Sequence, residues 1–237
     1  SWNGNNIMSN PKVAIITGAS RGIGAALVKG LSDSGMIVVL ASRNKKQMQS
    51  VSNSLLNEYS IVQTDVRDEM SVKNLVSYVY KKYKRIDVLV NNAGFVEPLS
   101  LLEMSKETWD NTIASNLTGT FLMTKEVVRI MKKDGGKVIN IASSAGLSSR
   151  PGWSAYAASK AAVINFSLTM AEELRDFNIQ VYPICPGRTA TDLRKKLAPN
   201  EDPTTIMQPS AVVDVVLFCL TDNANTIEGQ PILVREK

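Results

Sequence analysis

The stretch Val13-Ala14-Ile15-Ile16-Thr17-Gly18-Ala19-Ser20-Arg21-Gly22-Ile23-Gly24 decides the fold. A short β-branched run is followed by a turn with three glycines, and residues 22–34 then have helical periodicity. Glycines here let the chain turn tightly, and they let a phosphate approach the amides at the positive end of the helix. An ordinary glycine-rich turn is the alternative, but the place directly after the first strand favours a dinucleotide-binding unit.

Short apolar runs recur along the chain and alternate with longer segments of helical periodicity. Runs that are apolar on both faces are typical of parallel strands covered by helices on two sides. The alternation predicts an α/β fold, a single Rossmann-like domain whose doubly wound parallel sheet has about seven strands and helices on both faces. The predicted strands are 13–16, 37–40, 61–62, 88–90, 138–141, 181–184 and 232–234, and the predicted helices are 22–34, 45–57, 70–82, 106–132, 154–177 and 209–221.

Composition narrows the domain organisation and the setting. Residues 1–6 are mostly polar, and residues 1–10 are interpreted as a disordered leader or the scar of an expression tag. Residues 11–237 are expected to form one catalytic domain. The apolar runs are too short to span a bilayer, and no secretory signal is present. Cys185 and Cys219 each lie in an apolar segment and are expected to be buried thiols. These features predict a cytoplasmic protein that does not enter the membrane.

Charge and histidine content exclude further function classes. The net charge is +5, but the 27 Lys and Arg residues are scattered over several predicted helices. A scattered pattern favours a solvated surface over a nucleic-acid interface. Histidine is absent, so any proton chemistry must use other side chains, and no metal is expected.

The residues after the second strand indicate which cofactor is bound. A site for NAD usually has an acidic side chain here, which accepts hydrogen bonds from the adenosine ribose. Ser42 occupies this position, and Arg43 and Arg21 both bring positive charge to a ribose 2′-phosphate. Because a guanidinium makes paired, charge-assisted bonds with phosphate, this pattern favours NADP(H). Two exposed surface arginines are the alternative.

A tyrosine and a lysine supply the candidate proton chemistry. Tyr156 and Lys160 are one helical turn apart, so both side chains leave the same face of a helix. A phenol ionises near pH ~10, and a neighbouring ammonium is expected to lower that pKa toward the working range. Most Tyr-x-x-x-Lys pairs are incidental, but Ser143 lies at the end of the strand that precedes this helix.

Together these motifs resemble the short-chain dehydrogenase/reductase family, and 3-oxoacyl-[acyl-carrier-protein] reductases within it. The glycine spacing with Thr17 in front, the run Asn91-Asn92-Ala93-Gly94, the interval from Ser143 to Tyr156 and the Pro186-Gly187 turn match in order. The matches extend from Thr17 to Thr191.

The resemblance implies roles for individual residues. Ser143 would hydrogen-bond the substrate oxygen, Tyr156 would give or take the proton, and Lys160 would also bind the nicotinamide ribose. Asn116 would help hold a water that links the lysine to solvent. The predicted catalytic residues are Asn116, Ser143, Tyr156 and Lys160, and the predicted cofactor contacts are Thr17, Gly18, Ser20, Arg21, Gly22, Ile23, Gly24, Ser42, Arg43, Asp65, Val66, Asn91, Ala93, Gly94, Tyr156, Lys160, Pro186, Gly187, Thr189 and Thr191.

The implied activity is NADPH-dependent reduction of a carbonyl to an alcohol, with a 3-oxoacyl thioester as one candidate substrate. An NAD-dependent alcohol or steroid dehydrogenase and a non-catalytic NADP(H)-sensing regulator are the alternatives. The resemblance also implies a homodimer or homotetramer. Residues 192–207 are interpreted as a lid, with a solvated loop as the alternative, and the substrate pocket is expected to include Phe95, Val96, Leu147, Arg150 and Trp153.

Overall fold

The fold was taken from a computed structural model, which describes residues 11–235. The predicted leader at residues 1–10 lies outside the described residues, and the domain boundary at residue 11 stays a prediction. Seven strands are present in the described part of the chain: β1 (Val13–Thr17), β2 (Ile37–Ser42), β3 (Tyr59–Gln63), β4 (Val88–Asn91), β5 (Gly136–Ile141), β6 (Ile179–Pro186) and β7 (Ile232–Val234).

The seven strands form one sheet in the order β3-β2-β1-β4-β5-β6-β7, and every neighbouring pair is parallel. The chain starts in the middle of the sheet, builds outward through β2 and β3, and then returns to place β4 on the other side of β1. This confirms the predicted fold class. The strand order reverses between β1 and β4, and a crevice forms there at the carboxyl ends of the strands.

Helices cover both faces of the sheet. They are α1 (Gly22–Asp33), α2 (Lys45–Ser52), α3 (Glu69–Tyr83), α4 (Lys106–Ile113), α5 (Gly119–Met131), α6 (Ser154–Glu173), α7 (Asp192–Leu197) and α8 (Pro209–Cys219). A π-helical turn, Ala114–Thr118, joins α4 to α5, so the predicted helix at 106–132 is continuous but widened in its middle. None of the helices in residues 11–235 combines the length and the apolar composition that crossing a bilayer requires.

Strand β1 shows why apolar residues occupy both faces of the sheet. Ala14 and Ile16 pack into one core layer with α1 and α8, whereas Val13 and Ile15 pack into the other with α3 and α5. All four side chains are fully buried. A strand buried on two faces needs no polar alternation, and the continuous run in the sequence reflects this.

Candidate active site

A cavity of about 630 Å³ opens at the carboxyl ends of the strands, where the order reverses between β1 and β4. Segments that follow β1 to β6 line it together with α6 and α7. The predicted site residues on its wall are Gly18, Ser20, Arg21, Gly22, Ile23, Gly24, Ser42, Arg43, Asp65, Val66, Ala93, Gly94, Ser143, Tyr156, Lys160, Pro186, Gly187, Thr189 and Thr191.

The glycine turn forms a cradle without side chains. Gly18 and Gly22 adopt φ values of +63° and +54°, in the left-handed region that favours glycine. A Cβ on Gly24 would lie 2.1 Å from the carbonyl oxygen of Gly18, so only glycine fits. Helix α1 starts here with no side-chain cap and no acidic residue in its first turn. Its free amides and positive end are therefore available to an anion.

Thr17 and Asn91, two of the predicted cofactor contacts, do not line the cavity. Thr17 is buried, and its hydroxyl oxygen accepts hydrogen bonds from the backbone amides of Asn92 and Ala93, both at 3.0 Å. Asn91 donates to the side chains of Thr124 and Asn140. Both residues hold β4 and its following turn in place.

Asn92 lines the cavity, although the motif analysis assigned it no role. Its side-chain amide donates to the carbonyl oxygens of Thr17 at 3.1 Å and Gly18 at 3.2 Å. The glycine turn after β1 is thereby tied to the turn after β4. The signal was present in the sequence, since Asn92 directly follows Asn91, but a motif does not show which of two asparagines faces the site.

The end of β2 presents hydroxyl and guanidinium groups to the cavity. Ser42 donates a hydrogen bond to the Ser20 hydroxyl at 3.2 Å, which joins this strand end to the glycine turn. Arg21 and Arg43 are exposed at the rim, and none of the ion pairs found within residues 11–235 uses either of them. Both charges are thus available to a ligand.

Asp65 and Val66 line the same end of the cavity, but the Asp65 carboxylate already has a partner. Arg67 donates to it through Nε at 3.0 Å and through Nη2 at 2.7 Å. The side-chain hydrogen bond from Arg67 holds the pKa of Asp65 below its ordinary value, against the opposing effect of burial. Arg67 also lines the cavity and was missed by the sequence analysis, although it follows Val66 directly.

Tyr156, Lys160 and Ser143 meet deeper in the cavity. Tyr156 and Lys160 lie on α6, and the Lys160 ammonium is 5.7 Å from the centre of the Tyr156 ring. Lys160 donates a hydrogen bond to the Ile141 carbonyl oxygen at 2.7 Å. The Trp153 ring packs edge-on against the Tyr156 ring at 5.7 Å between centres. The tyrosine is therefore fixed from two sides and faces the cavity.

The electrostatics differ from the expectation that Lys160 lowers the pKa of Tyr156. The surrounding protein raises the pKa of the Tyr156 phenol by desolvation, and the Ser143 hydroxyl offsets this only in part. Burial lowers the pKa of Lys160 to about 8. Lys160 instead directs a hydrogen bond at the Ile141 carbonyl. The phenol is therefore protonated at neutral pH, which is the form that can donate a proton.

Asn116 lies in the π-helical turn, is fully buried, and does not line the cavity. Its Oδ1 accepts from the Phe95 amide at 2.7 Å, and its Nδ2 donates to the Phe95 carbonyl at 3.0 Å. Nδ2 also donates to the Ser159 hydroxyl at 2.9 Å. The side chain therefore connects the turn after β4 to α6, and its role in a water relay stays a prediction.

Residues after β6 close one side of the cavity. Thr191 caps α7 by accepting from the Arg194 amide at 3.1 Å. Glu201 then pairs with Arg194 at 2.5 Å and with Arg188 at 2.9 Å. These contacts order residues 192–207, which contain α7. Their closing movement as a lid stays a prediction.

Comparison with known proteins decides the family. The sequence model described as short chain dehydrogenase matches residues 12–202, most of the chain. The chain belongs to the short-chain dehydrogenase family. This confirms the resemblance on which the sequence analysis relied.

Several curated members of the short-chain dehydrogenase family are similar over almost their whole length. A 3-oxoacyl-[acyl-carrier-protein] reductase of Synechocystis is 39% identical over 92% of this chain and 93% of its own. One of Thermotoga maritima is 36% identical over 93% of this chain and 95% of its own. Among solved structures, an actinorhodin polyketide ketoreductase with NADPH superimposes with a TM-score of 0.89 at 27% identity, covering 94% of this chain and 95% of the other.

Four of the five residues expected at the substrate pocket line the main cavity, and their contact with a substrate stays a prediction. Phe95, Val96, Arg150 and Trp153 line the main cavity, on the side of Tyr156. Leu147 does not, because its side chain lines a second cavity beyond Ser144. That placement corrects the expectation for Leu147.

Proposed function

We propose that this short-chain dehydrogenase uses NADPH to reduce a carbonyl group to an alcohol, with a 3-oxoacyl thioester as the substrate class. The observation that carries the proposal is the convergence of Tyr156, Ser143 and Lys160 with the glycine cradle in one cavity. The relatives named as 3-oxoacyl-[acyl-carrier-protein] reductases support the substrate class, and the ketoreductase crystallised with NADPH supports the cofactor.

The residues present fit a phosphorylated dinucleotide. The cradle at Gly18 and Gly24 leaves the backbone of the turn open to a pyrophosphate, and the uncapped start of α1 supplies amides to it. At the end of β2, the small neutral side chain of Ser42 leaves room for the 2′-phosphate, which an acidic side chain would repel. Arg21 and Arg43 would hold the 2′-phosphate there through charge-assisted bonds. Lys160, on the deep side of the cavity, would bind the nicotinamide ribose.

The chain's own residues would supply the proton and the polarisation of the carbonyl. When bound, NADPH supplies a hydride to the carbonyl carbon. Ser143 accepts a hydrogen bond from the Ala145 amide at 3.1 Å, and its hydroxyl, which interacts with Tyr156 in the free protein, would donate to the carbonyl oxygen of a bound substrate. As the π electrons move to that oxygen, Tyr156 transfers its proton and completes the O–H bond. Solvent then reprotonates the phenolate that remains, while the Lys160 ammonium would hold the nicotinamide ribose.

A carbonyl panel followed by NADPH absorbance tests the proposal. We expect oxidation of NADPH with 3-oxoacyl thioesters, and one alcohol formed for each NADPH consumed. Tight NADPH binding without turnover on any member would favour the NADP(H)-sensing regulator instead. Faster turnover with NADH than with NADPH would favour the NAD-dependent alcohol or steroid dehydrogenase.

Arg43→Ala is expected to lower the preference for NADPH over NADH about tenfold, because one or more charge-assisted bonds to the 2′-phosphate are lost. The measurement is the ratio of kcat/KM for the two cofactors at a fixed ketone concentration. Lys46→Ala is the matched control, since Lys46 is an exposed cation on the neighbouring helix that does not line the cavity. An unchanged ratio in Arg43→Ala would show that this guanidinium does not bind the 2′-phosphate.

The pH profile of reduction is expected to fall above about pH 8. Since the pKa of Lys160 is lowered to about 8, its ammonium is present below that pH and is lost above it. The raised pKa of Tyr156 keeps the phenol protonated through the same range. The measurement is kcat/KM against pH at constant ionic strength, because this parameter reports groups of the free enzyme.

Lys137→Met is the control for that profile. Burial also lowers the pKa of Lys137, but its ammonium donates to the carbonyl oxygens of Cys219 and Thr221, away from the cavity. The pH at which kcat/KM falls should be the same in this variant as in the wild type. A wild-type profile that stays level well above pH 8 would contradict the assignment to Lys160.

A homodimer or homotetramer formed through the long helices, and a cytoplasmic site of action, are part of the same proposal. Trp109 on α4 and Phe121 on α5 expose 37% and 42% of their surface. These two aromatic side chains are the residues of the long helices that we expect a partner subunit to contact. Sedimentation of the purified protein measures the subunit number.

A further inference from the structure

A second cavity of about 510 Å³ adjoins the main one. Ser144, Arg150, Gly187 and Arg188 line both cavities, so the two spaces share a wall next to Ser143. A substrate whose carbonyl lies at Ser143 and Tyr156 would extend past these four residues. The second cavity is thus placed to hold the far end of that substrate.

The second cavity is basic. Arg150, Arg188 and Arg235 line it, and none of the described residues on its wall is acidic. The ion pairs found within residues 11–235 include neither Arg150 nor Arg235. Arg188 pairs with Glu201, but that carboxylate is shared with Arg194. Among the described residues, positive charge therefore exceeds negative charge around this space.

The remaining wall combines hydroxyl groups with apolar side chains. Ser148 and Thr205 donate their hydroxyls to the carbonyl oxygens of Ser144 and Asp202, so the arginines are the donors left for an anion. Leu147 and Leu233 are apolar and expose 47% and 42% of their surface. A guanidinium binds phosphate or carboxylate through paired, charge-assisted bonds. Apolar side chains beside the arginines suit a linker of low polarity. The wall as a whole fits an oxyanion attached to such a linker.

We propose that the second cavity binds an oxyanion, a phosphate or a carboxylate, carried by the substrate at the end remote from its carbonyl. This inference rests on the proposed ketone reduction. It adds that the second cavity determines which ketones the enzyme prefers. Arg235 is the most informative residue, because it lines the second cavity but not the main one. The enzyme is then specific for anionic carbonyl substrates over neutral ones of the same length.

Two pairs of probes separate charge from shape. The first pair is acetoacetyl-pantetheine with and without its terminal phosphate. The second is a long-chain methyl 3-oxoester with and without a terminal carboxylate. In the wild type, the charged member of at least one pair should have the lower KM. Arg235→Gln should raise that KM about tenfold and leave the KM of the neutral member and both kcat values unchanged.

Arg175→Gln is the matched control. Arg175 follows α6, near the amino-terminal end of β6, and is exposed with Glu172 as its ion-pair partner. The Arg175→Gln substitution should leave the KM values of all four probes unchanged. Arg235→Lys keeps the positive charge but not the planar guanidinium that makes paired bonds. This variant should therefore keep part of the preference for the charged probe. Equal KM values within both pairs in the wild type, or an equal rise for both members in Arg235→Gln, would overturn the proposal.

A binding measurement separates this inference from the proposed function. Calorimetric titration of the four probes into the protein with NADP⁺ gives Kd without turnover. If no probe is reduced, the proposed function fails, but tighter binding of a charged member that Arg235→Gln abolishes would still support the oxyanion site. Equal affinity within both pairs would overturn the site even if every ketone is reduced.

Discussion

Tyr156→Phe is expected to lower kcat for ketone reduction by about 10²- to 10⁴-fold, the range that a positioned general acid contributes. The substitution keeps the ring, and so keeps its edge-on contact with Trp153. It removes only the hydroxyl, whose pKa is raised by its surroundings and which is therefore protonated at neutral pH. The measurement is single-turnover oxidation of bound NADPH by a saturating ketone.

Tyr182→Phe is the control for the loss of a phenol. Tyr182 is fully buried in β6, and its hydroxyl donates to the Ala224 carbonyl oxygen at 3.4 Å, away from the cavity. Its kcat should stay near the wild-type value. NADPH affinity should be similar in Tyr156→Phe and in the wild type. Wild-type turnover in Tyr156→Phe would remove the tyrosine from the mechanism.

Gly24→Ala is expected to weaken NADPH binding about a hundredfold, because a cofactor pyrophosphate would lose charge-assisted bonds worth roughly 1.5–3 kcal/mol each. The added Cβ would lie 2.1 Å from the Gly18 carbonyl oxygen and 2.6 Å from the Asn92 side-chain amide. The turn has to shift, and the amides at the start of α1 then no longer converge on a phosphate. The Kd for NADPH, from titration of its fluorescence, measures the effect.

Gly35→Ala is the matched control. Gly35 has a φ of +91°, so alanine is strained there, but a Cβ would meet nothing within 4 Å. This variant should lose stability, by about 1 kcal/mol, yet bind NADPH like the wild type. Thermal melts of both variants without cofactor separate folding from binding. A Gly24→Ala protein that melts like Gly35→Ala and still binds NADPH normally would contradict the cradle.

The fold was predictable because one short stretch carries several independent constraints. Strand β1 is apolar on both faces, and the glycines that follow it fit a tight turn before a helix. The main differences concern element ends. Helix α2 stops at Ser52 and not at residue 57, and β3 spans Tyr59–Gln63, since Tyr59 and Gln63 extend the pairing with β2 although both are exposed. An exposed edge strand has a weak apolar pattern.

The site was harder to predict wherever a tertiary contact decides the role of a side chain. Spacing placed Tyr156 and Lys160 on one helix face, but not the hydrogen bond from Lys160 to the Ile141 carbonyl. Burial raises the pKa of the phenol and the Ser143 hydroxyl offsets this only in part, which explains why the phenol keeps its proton. Likewise, the motif could not show that Asn116 would be buried against the backbone of Phe95.

The basic second cavity could not be predicted from the sequence for a similar reason. Arg150, Arg188 and Arg235 come from three separate segments, which follow β5, β6 and β7. Each alone is an ordinary exposed arginine. Only parallel pairing of these strands brings their carboxyl ends to one edge of the sheet, and with them the three guanidinium groups.

The most direct test of the central claim follows the transferred hydrogen. NADPH deuterated at C4 of the nicotinamide, prepared as both stereoisomers, is mixed with acetoacetyl-pantetheine and the wild-type protein, and the product is analysed by mass spectrometry. We predict that one stereoisomer gives an alcohol with deuterium on the former carbonyl carbon, and that the other gives none. An unlabelled alcohol from both, or oxidation of NADPH without alcohol, would contradict hydride transfer at this site.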